Sequence, residues 1–126
     1  MAGDGNRDLV ERFWKALEDK DLEEAARCLH DDFVEEWPQS GERIRGIENW
    51  LGMATTHPTF PSVSHVRTVG EGEVWASHAR YDYGDGTPWQ VIAIQECRDG
   101  RIARITEVFG NRFEAAGWRT HLVERI

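Results

Sequence analysis

Apolar residues recur every three or four positions near the start of this chain and every second position near its end. Leu9, Phe13 and Leu17 are spaced by four, with Val10 and Trp14 beside them and charges between, which predicts an amphipathic helix over residues 6–19. Asp21 followed by Glu24 has the form of a capping box, opening a second helix through Leu22, Ala25, Ala26 and Leu29. His30 is expected in its last turn, where a partial positive charge suits the carbonyl end of the helix dipole. A short extended stretch over residues 33–37 stops at Pro38. A third helix follows Gly46, carries Ile47, Trp50, Leu51 and Ala54, and ends at His57-Pro58.

From Val63 the period becomes two. Strands are expected over residues 62–69, 73–83, 88–98 and 101–109, broken by Gly70-Glu71-Gly72, Gly84-Asp85-Gly86 and Asp99-Gly100. The last pair suits a two-residue hairpin, because Asp-Gly tolerates the positive φ angles of a type I′ turn. Trp89, Val91 and Ala93 alternate with Ile92 and Ile94, so both faces of the sheet are apolar and both need cover.

The chain has 126 residues, enough for one domain with one core. Hydrophobic residues at 40% and charged residues at 30% exclude a disordered tail and a membrane protein. Met1-Ala2-Gly3-Asp4 lacks the basic-then-apolar order of a signal peptide, so a cytoplasmic setting is expected. Cys28 and Cys97 form no Cys-x-x-Cys and read as reduced core thiols. Against 15 Lys and Arg stand 23 Asp and Glu, a net charge of −8 that argues against nucleic-acid and membrane partners. Six Trp in so short a chain point to a deep core, an aromatic pocket or a buried interface. The five His show no His-x-His or His-Glu-x-x-His spacing, so no metal is expected. Gly70-x-Gly72 and Gly84-x-Gly86 precede no helix and are turn glycines, not phosphate loops.

Phe13-Trp14-Lys15-Ala16-Leu17 with Asp21-Leu22, then His30-Asp31-Asp32-Phe33, Pro38 and Arg45-Gly46, and finally Arg98-Asp99-Gly100-Arg101-Ile102 with Glu107-Val108-Phe109, follow an order that resembles the nuclear transport factor 2-like superfamily. That group includes the SnoaL-like polyketide cyclases, ketosteroid isomerase and the limonene epoxide hydrolases. The resemblance implies a single α+β domain over residues 1–126: a cone-shaped curved antiparallel sheet wrapped around about three N-terminal helices, enclosing one apolar pocket. It implies no single reaction, because sites are grafted onto a common shell.

The known sites transfer unevenly. The tyrosine of the isomerase site falls on Phe13, its base on Trp37 and its second acid at or beside Ile94, so no proton-transferring group remains there. The Arg-x-Asp of the epoxide hydrolases resembles Arg80-Tyr81-Asp82, and Glu107 takes the place of their second acid. Two carboxylates near one guanidinium share a proton, one serving as base and one as acid. The Tyr and Asn that clamp water in those enzymes have no counterpart among Val34, Glu35, Glu36 and Trp37.

Each candidate has two readings. Arg80 and Asp82 are catalytic or form a rim ion pair. Glu35, which alternates with Phe33 and Trp37, is a pocket carboxylate or a solvated strand residue. His78, in phase with Arg80 and Asp82, is catalytic or a hydrogen-bonded core residue. Phe13, Trp14, Trp37, Trp50 and Ile94 line a ligand pocket or pack a core. Two functions follow: a cofactor-free acid–base enzyme acting on a small apolar molecule through Arg80, Asp82, Glu107 and Glu35, or a non-catalytic binding or association module. The apolar outer sheet face predicts a homodimer. Phe113, Trp118, Leu122, Val123 and Ile126 predict a tail over residues 112–126 packed on the sheet or across the dimer.

Overall fold

The computed structural model describes residues 2–126, with side chains from Gly5 onward; the reading of Met1-Ala2-Gly3-Asp4 lies outside the described side chains. Three helices come first, α1 (Ala2–Glu18), α2 (Leu22–Arg27) and α3 (Ile47–Thr56), with strands β1 (Leu29–Trp37) and β2 (Glu42–Arg45) between the last two. Four strands then follow in sequence: β3 (Ser62–Glu71), β4 (Val74–Asp82), β5 (Trp89–Arg98) and β6 (Arg101–Gly110). The sheet order is β2-β1-β6-β5-β4-β3. Every pair is antiparallel except β1 with β6, which run parallel. The architecture is therefore α+β, an open six-stranded sheet with the helices packed on one face.

Local chemistry explains most boundaries. Leu9, Val10, Phe13, Trp14, Ala16 and Leu17 form the buried stripe of α1. Asp21 Oδ1 accepts the Glu24 backbone N–H at 3.1 Å, so α2 starts where the capping signal places it. It ends sooner than expected. Cys28 caps the helix, and His30 sits in β1, where its Nδ1 accepts the Asp32 backbone N–H. The run Leu22 to Leu29 is apolar enough for a longer helix, but Leu29 is instead claimed by pairing with Ile102. The Asp99-Gly100 turn has φ values of 54° and 72°, the left-handed pair that its residues favour.

Burial alternates strictly along β5, with Val91, Ala93, Gln95 and Cys97 inward and Ile92 and Ile94 outward. Val66, Val69, Val74 and Val108 are also exposed. The outer face thus stays uncovered in a single chain, whereas the inner face holds the core. Of the two placements expected for the C-terminal tail, on the sheet or across a dimer, the single chain shows little of the first. Phe113, Trp118 and Leu122 are 81%, 75% and 70% exposed, so the segment does not pack on its own sheet. The tail leaves β6 at Gly110 and makes one helical turn over Gly117–Leu122. Cys28 and Cys97 are free, buried thiols.

Candidate functional site

Between the helices and the inner face lies a cavity of about 230 Å³. Helix α1 contributes Phe13, Trp14 and Leu17, α3 contributes Trp50 and Met53, and the following loop contributes His57, Phe60 and Pro61. The sheet supplies Glu35 and Trp37 from β1, Ala93 and Gln95 from β5, and Ile105, Glu107 and Phe109 from β6. Tyr81 at the end of β4 and Tyr83 just beyond it close the wall.

Two carboxyl groups stand in this apolar space. Glu35 is 4% exposed and Glu107 is 7% exposed. Glu35 pairs with Ile105 across the parallel ladder, which leaves Glu107 two residues further along the same face. Strand spacing and rise put the two Cα atoms roughly 8 Å apart. Both Glu107 oxygens are held: Trp37 Nε1 donates to Oε1 at 3.1 Å, and the Tyr81 hydroxyl donates to Oε2 at 2.7 Å. Glu35 accepts no side-chain or backbone hydrogen bond of normal geometry from the described residues. The Trp50 and Trp37 indole N–H groups stand close enough to favour its charged form only partly.

The difference sets the proton's place. Burial pushes the Glu35 carboxyl well above the usual carboxylate range, and the neighbouring Glu107 charge pushes it further. Burial raises Glu107 too, but the Tyr81 and Trp37 donors pull it back by stabilising the anion. Burial and the Glu107 charge thus favour a proton on Glu35, while Tyr81 and Trp37 favour the charged form of Glu107. Tyr81 is raised well above the usual phenol value, first by burial and then by the Glu107 charge; the same causes push Tyr83 up to about 12. Both phenols stay protonated, so Tyr81 acts as a donor.

A second polar network borders the cavity. His65 Nε2 meets Thr68 Oγ1 at 2.7 Å, Thr68 meets Ser77 Oγ at 2.9 Å, and Ser77 reaches the Gln95 amide. With the amide turned so that both ends are satisfied, Gln95 accepts from Trp14 Nε1 at 3.2 Å and donates to the Trp75 carbonyl. Gln95 is fully buried, and these bonds fix the Trp14 ring against the cavity.

Of the residues singled out in the sequence, Glu35, Glu107, Phe13, Trp14, Trp37 and Trp50 meet here. Four do not. Arg80 is exposed and Asp82 half-buried on the outer face, and they form no ion pair with each other among the described residues; Asp82 accepts instead from the Gly84 backbone N–H. His78 is on the same face, hydrogen-bonded to Gln90 at 2.6 Å. Ile94 is 41% exposed on that side too. The phase is set by Trp75, Ala79 and Tyr81, whose large apolar surface takes the inner face of β4 and turns the charged set outward. Tyr81, Tyr83 and Gln95 were not foreseen. Alternation from Trp75 points to Tyr81, and a lone amide in an apolar strand points to Gln95. Among the described residues, no three His, Cys, Asp or Glu side chains gather as a metal cage. No helix described is long and apolar enough to cross a membrane.

The fold is shared with solved structures. An NTF2-like protein of unknown function from Burkholderia xenovorans LB400 is 32% identical, with a TM-score of 0.90 over 98% of this chain and 96% of that one. A protein from Kribbella flavida DSM 17836, provisionally called a ketosteroid isomerase, is 27% identical at a TM-score of 0.88, covering 100% of this chain and 93% of its own. An epoxide hydrolase of limonene-epoxide-hydrolase type from M. tuberculosis shares 24% identity and the fold, at a TM-score of 0.72 over 86% of this chain and 85% of that one. No curated protein matches the sequence. The model of the SnoaL-like domain matches residues 10–105, and the chain belongs to that family.

Proposed function

We propose that this protein binds a small, mostly apolar molecule in the cavity and moves protons on it, with Glu35 as the acid and Glu107 as the base. The observation that carries this reading is the asymmetry of the two carboxyls: both Glu107 oxygens are bonded, by Trp37 and Tyr81, whereas Glu35 is held less firmly and burial favours its protonated form. Groups whose environments push their titrations apart are suited to opposite roles in one reaction. Glu35 donates to an oxygen of the ligand, and Glu107, with a free lone pair on each oxygen, accepts a proton from carbon or water. Together they supply both ends of a proton transfer, so the reading needs no cofactor. Scaling from benzene in a 150 Å³ cavity, the space suits roughly nine heavy atoms, an alicyclic or monocyclic molecule. Trp37 and Trp50 would press its flat face toward the carboxyls.

The test is turnover of a panel of small epoxides, cyclic alcohols and polyketide-like lactones by wild type, Glu35→Gln and Glu107→Gln, with binding measured in parallel. A loss of kcat on the order of 10²–10⁴-fold in both variants, with binding retained, supports the enzyme. Binding without turnover in the wild type overturns it.

A non-catalytic binding module is the second reading, favoured by Glu107 having both oxygens engaged, as an anchoring residue would. Two copies are proposed to pair through the outer sheet face, where Ile92, Ile94, Val74 and Val108 stand exposed. The two free thiols fit a reducing, cytoplasmic setting.

A further inference from the structure

The cavity wall carries charge of one sign. Glu35 and Glu107 are its carboxyls, and no lysine or arginine lines it. His57 accepts the Thr59 backbone N–H on Nδ1 at 2.9 Å, which requires that nitrogen to be unprotonated, and its ring stacks on Tyr83. Several donors are already engaged. The Tyr81 hydroxyl and Trp37 Nε1 donate to Glu107, Trp14 Nε1 donates to Gln95, and the Trp50 N–H stands beside Glu35. Facing the space are aromatic side chains, with the Tyr83 hydroxyl and His57 among them, and Glu35, 4% exposed. Such walls attract a cation, and an ionised carboxylate beside them repels an anion.

We infer that the cavity recognises a small apolar monocation, of the class of a protonated alicyclic amine, and that the proposed reaction accordingly builds positive rather than negative charge on its substrate. The inference rests on the reading of Glu35 and Glu107 as the working pair. It narrows the chemistry to steps in which Glu35 gives its proton to a substrate oxygen and the C–O bond breaks with its electron pair going to that oxygen. The carbon left electron-poor then loses a neighbouring proton to Glu107, or gains water whose proton Glu107 takes.

Isothermal titration calorimetry on the full chain, in about 0.3 M salt to screen the acidic surface, tests this with three probes of one shape. They are cyclohexylmethylamine, cyclohexylmethanol and cyclohexanecarboxylate. The amine is expected to bind at least about tenfold tighter than the alcohol, and the carboxylate not at all. In Glu107→Gln the amine's advantage is expected to fall below about threefold while the alcohol still binds. An alcohol binding as tightly as the amine, or a carboxylate binding at all comparably, overturns the inference and leaves the cavity reading standing. If none of the three binds the wild type, the cavity reading itself falls, and the inference with it. The wild-type comparison decides the matter even if the variant does not fold.

Discussion

Replacing Tyr81 with Phe removes one hydroxyl from a buried site and nothing else of bulk. In the folded chain that hydroxyl donates to Glu107 Oε2 at 2.7 Å, and both residues are at most 7% exposed. A hydrogen bond to a buried charged group contributes about 1.5–3 kcal/mol. Unfolding entropy of about 2.1 cal/mol/K per residue over 126 residues converts this into a melting-temperature loss of roughly 6–11 °C. The loss depends on pH with a definite sign. The Tyr81 donor lowers the Glu107 pKa, so it stabilises the anion, and its contribution is present above the folded Glu107 pKa and lost as pH falls through it. Calorimetric melts of wild type and Tyr81→Phe are expected to differ most near pH 8 and by less than half as much near pH 4. Tyr83→Phe serves as control, because Tyr83 lines the cavity without bonding either carboxyl, and its gap is expected to stay flat with pH. A Tyr81→Phe gap that does not change with pH, or one below about 0.5 kcal/mol at pH 8, would refute the assignment of charge to Glu107.

Glu35 gives the opposite slope: its folded pKa lies above the unfolded value because of burial, so stability present at acid pH is lost as pH rises through the raised value. Urea denaturation across roughly pH 4 to 8 is expected to show Glu35→Gln gaining on wild type as pH rises; parallel curves would exclude a proton held on Glu35. Light scattering is expected to give the wild type twice the 14.5 kDa chain mass, and Ile92→Glu on the outer face a monomer with unchanged circular dichroism. Gly70 has φ +146°, and an added Cβ would fall 2.4 Å from the Val74 carbonyl oxygen and 2.9 Å from Trp75 Cα. Gly70→Ala is therefore expected to cost at least about 2 kcal/mol by chemical denaturation, since both neighbours are backbone of the same hairpin and cannot step aside.

Local signals were legible where one residue pair decides the outcome. The four-residue spacing of Leu9, Phe13 and Leu17 defines α1, and Asp99-Gly100 defines the final hairpin. Strand β2 was not visible, because Glu42-Arg43-Ile44-Arg45 offers one apolar residue and exists by pairing with β1. His30 looked helical because the apolar run continues to Leu29; the cap at Cys28 is a tertiary outcome. Glu35 could be placed by alternation with Phe33 and Trp37. Arg80 and Asp82 drew attention through a spacing shared with the epoxide hydrolases, yet the heavier apolar set of Trp75, Ala79 and Tyr81 decided the phase of β4.

The meeting of Glu35 with Glu107 was beyond any local pattern. It depends on the one parallel pairing in the sheet, which sets β1 beside β6 across some seventy residues of chain and puts both carboxyls on one face. Burying two carboxyls so close is costly, and a core selected for stability alone would hold a leucine or a glutamine at one position. The surroundings do not remove that cost evenly. Tyr81 and Trp37 compensate Glu107 on both oxygens, whereas Glu35 is left to answer burial by keeping its proton. Under the proposed function, that protonated carboxyl in the cavity wall is the group a ligand oxygen would meet.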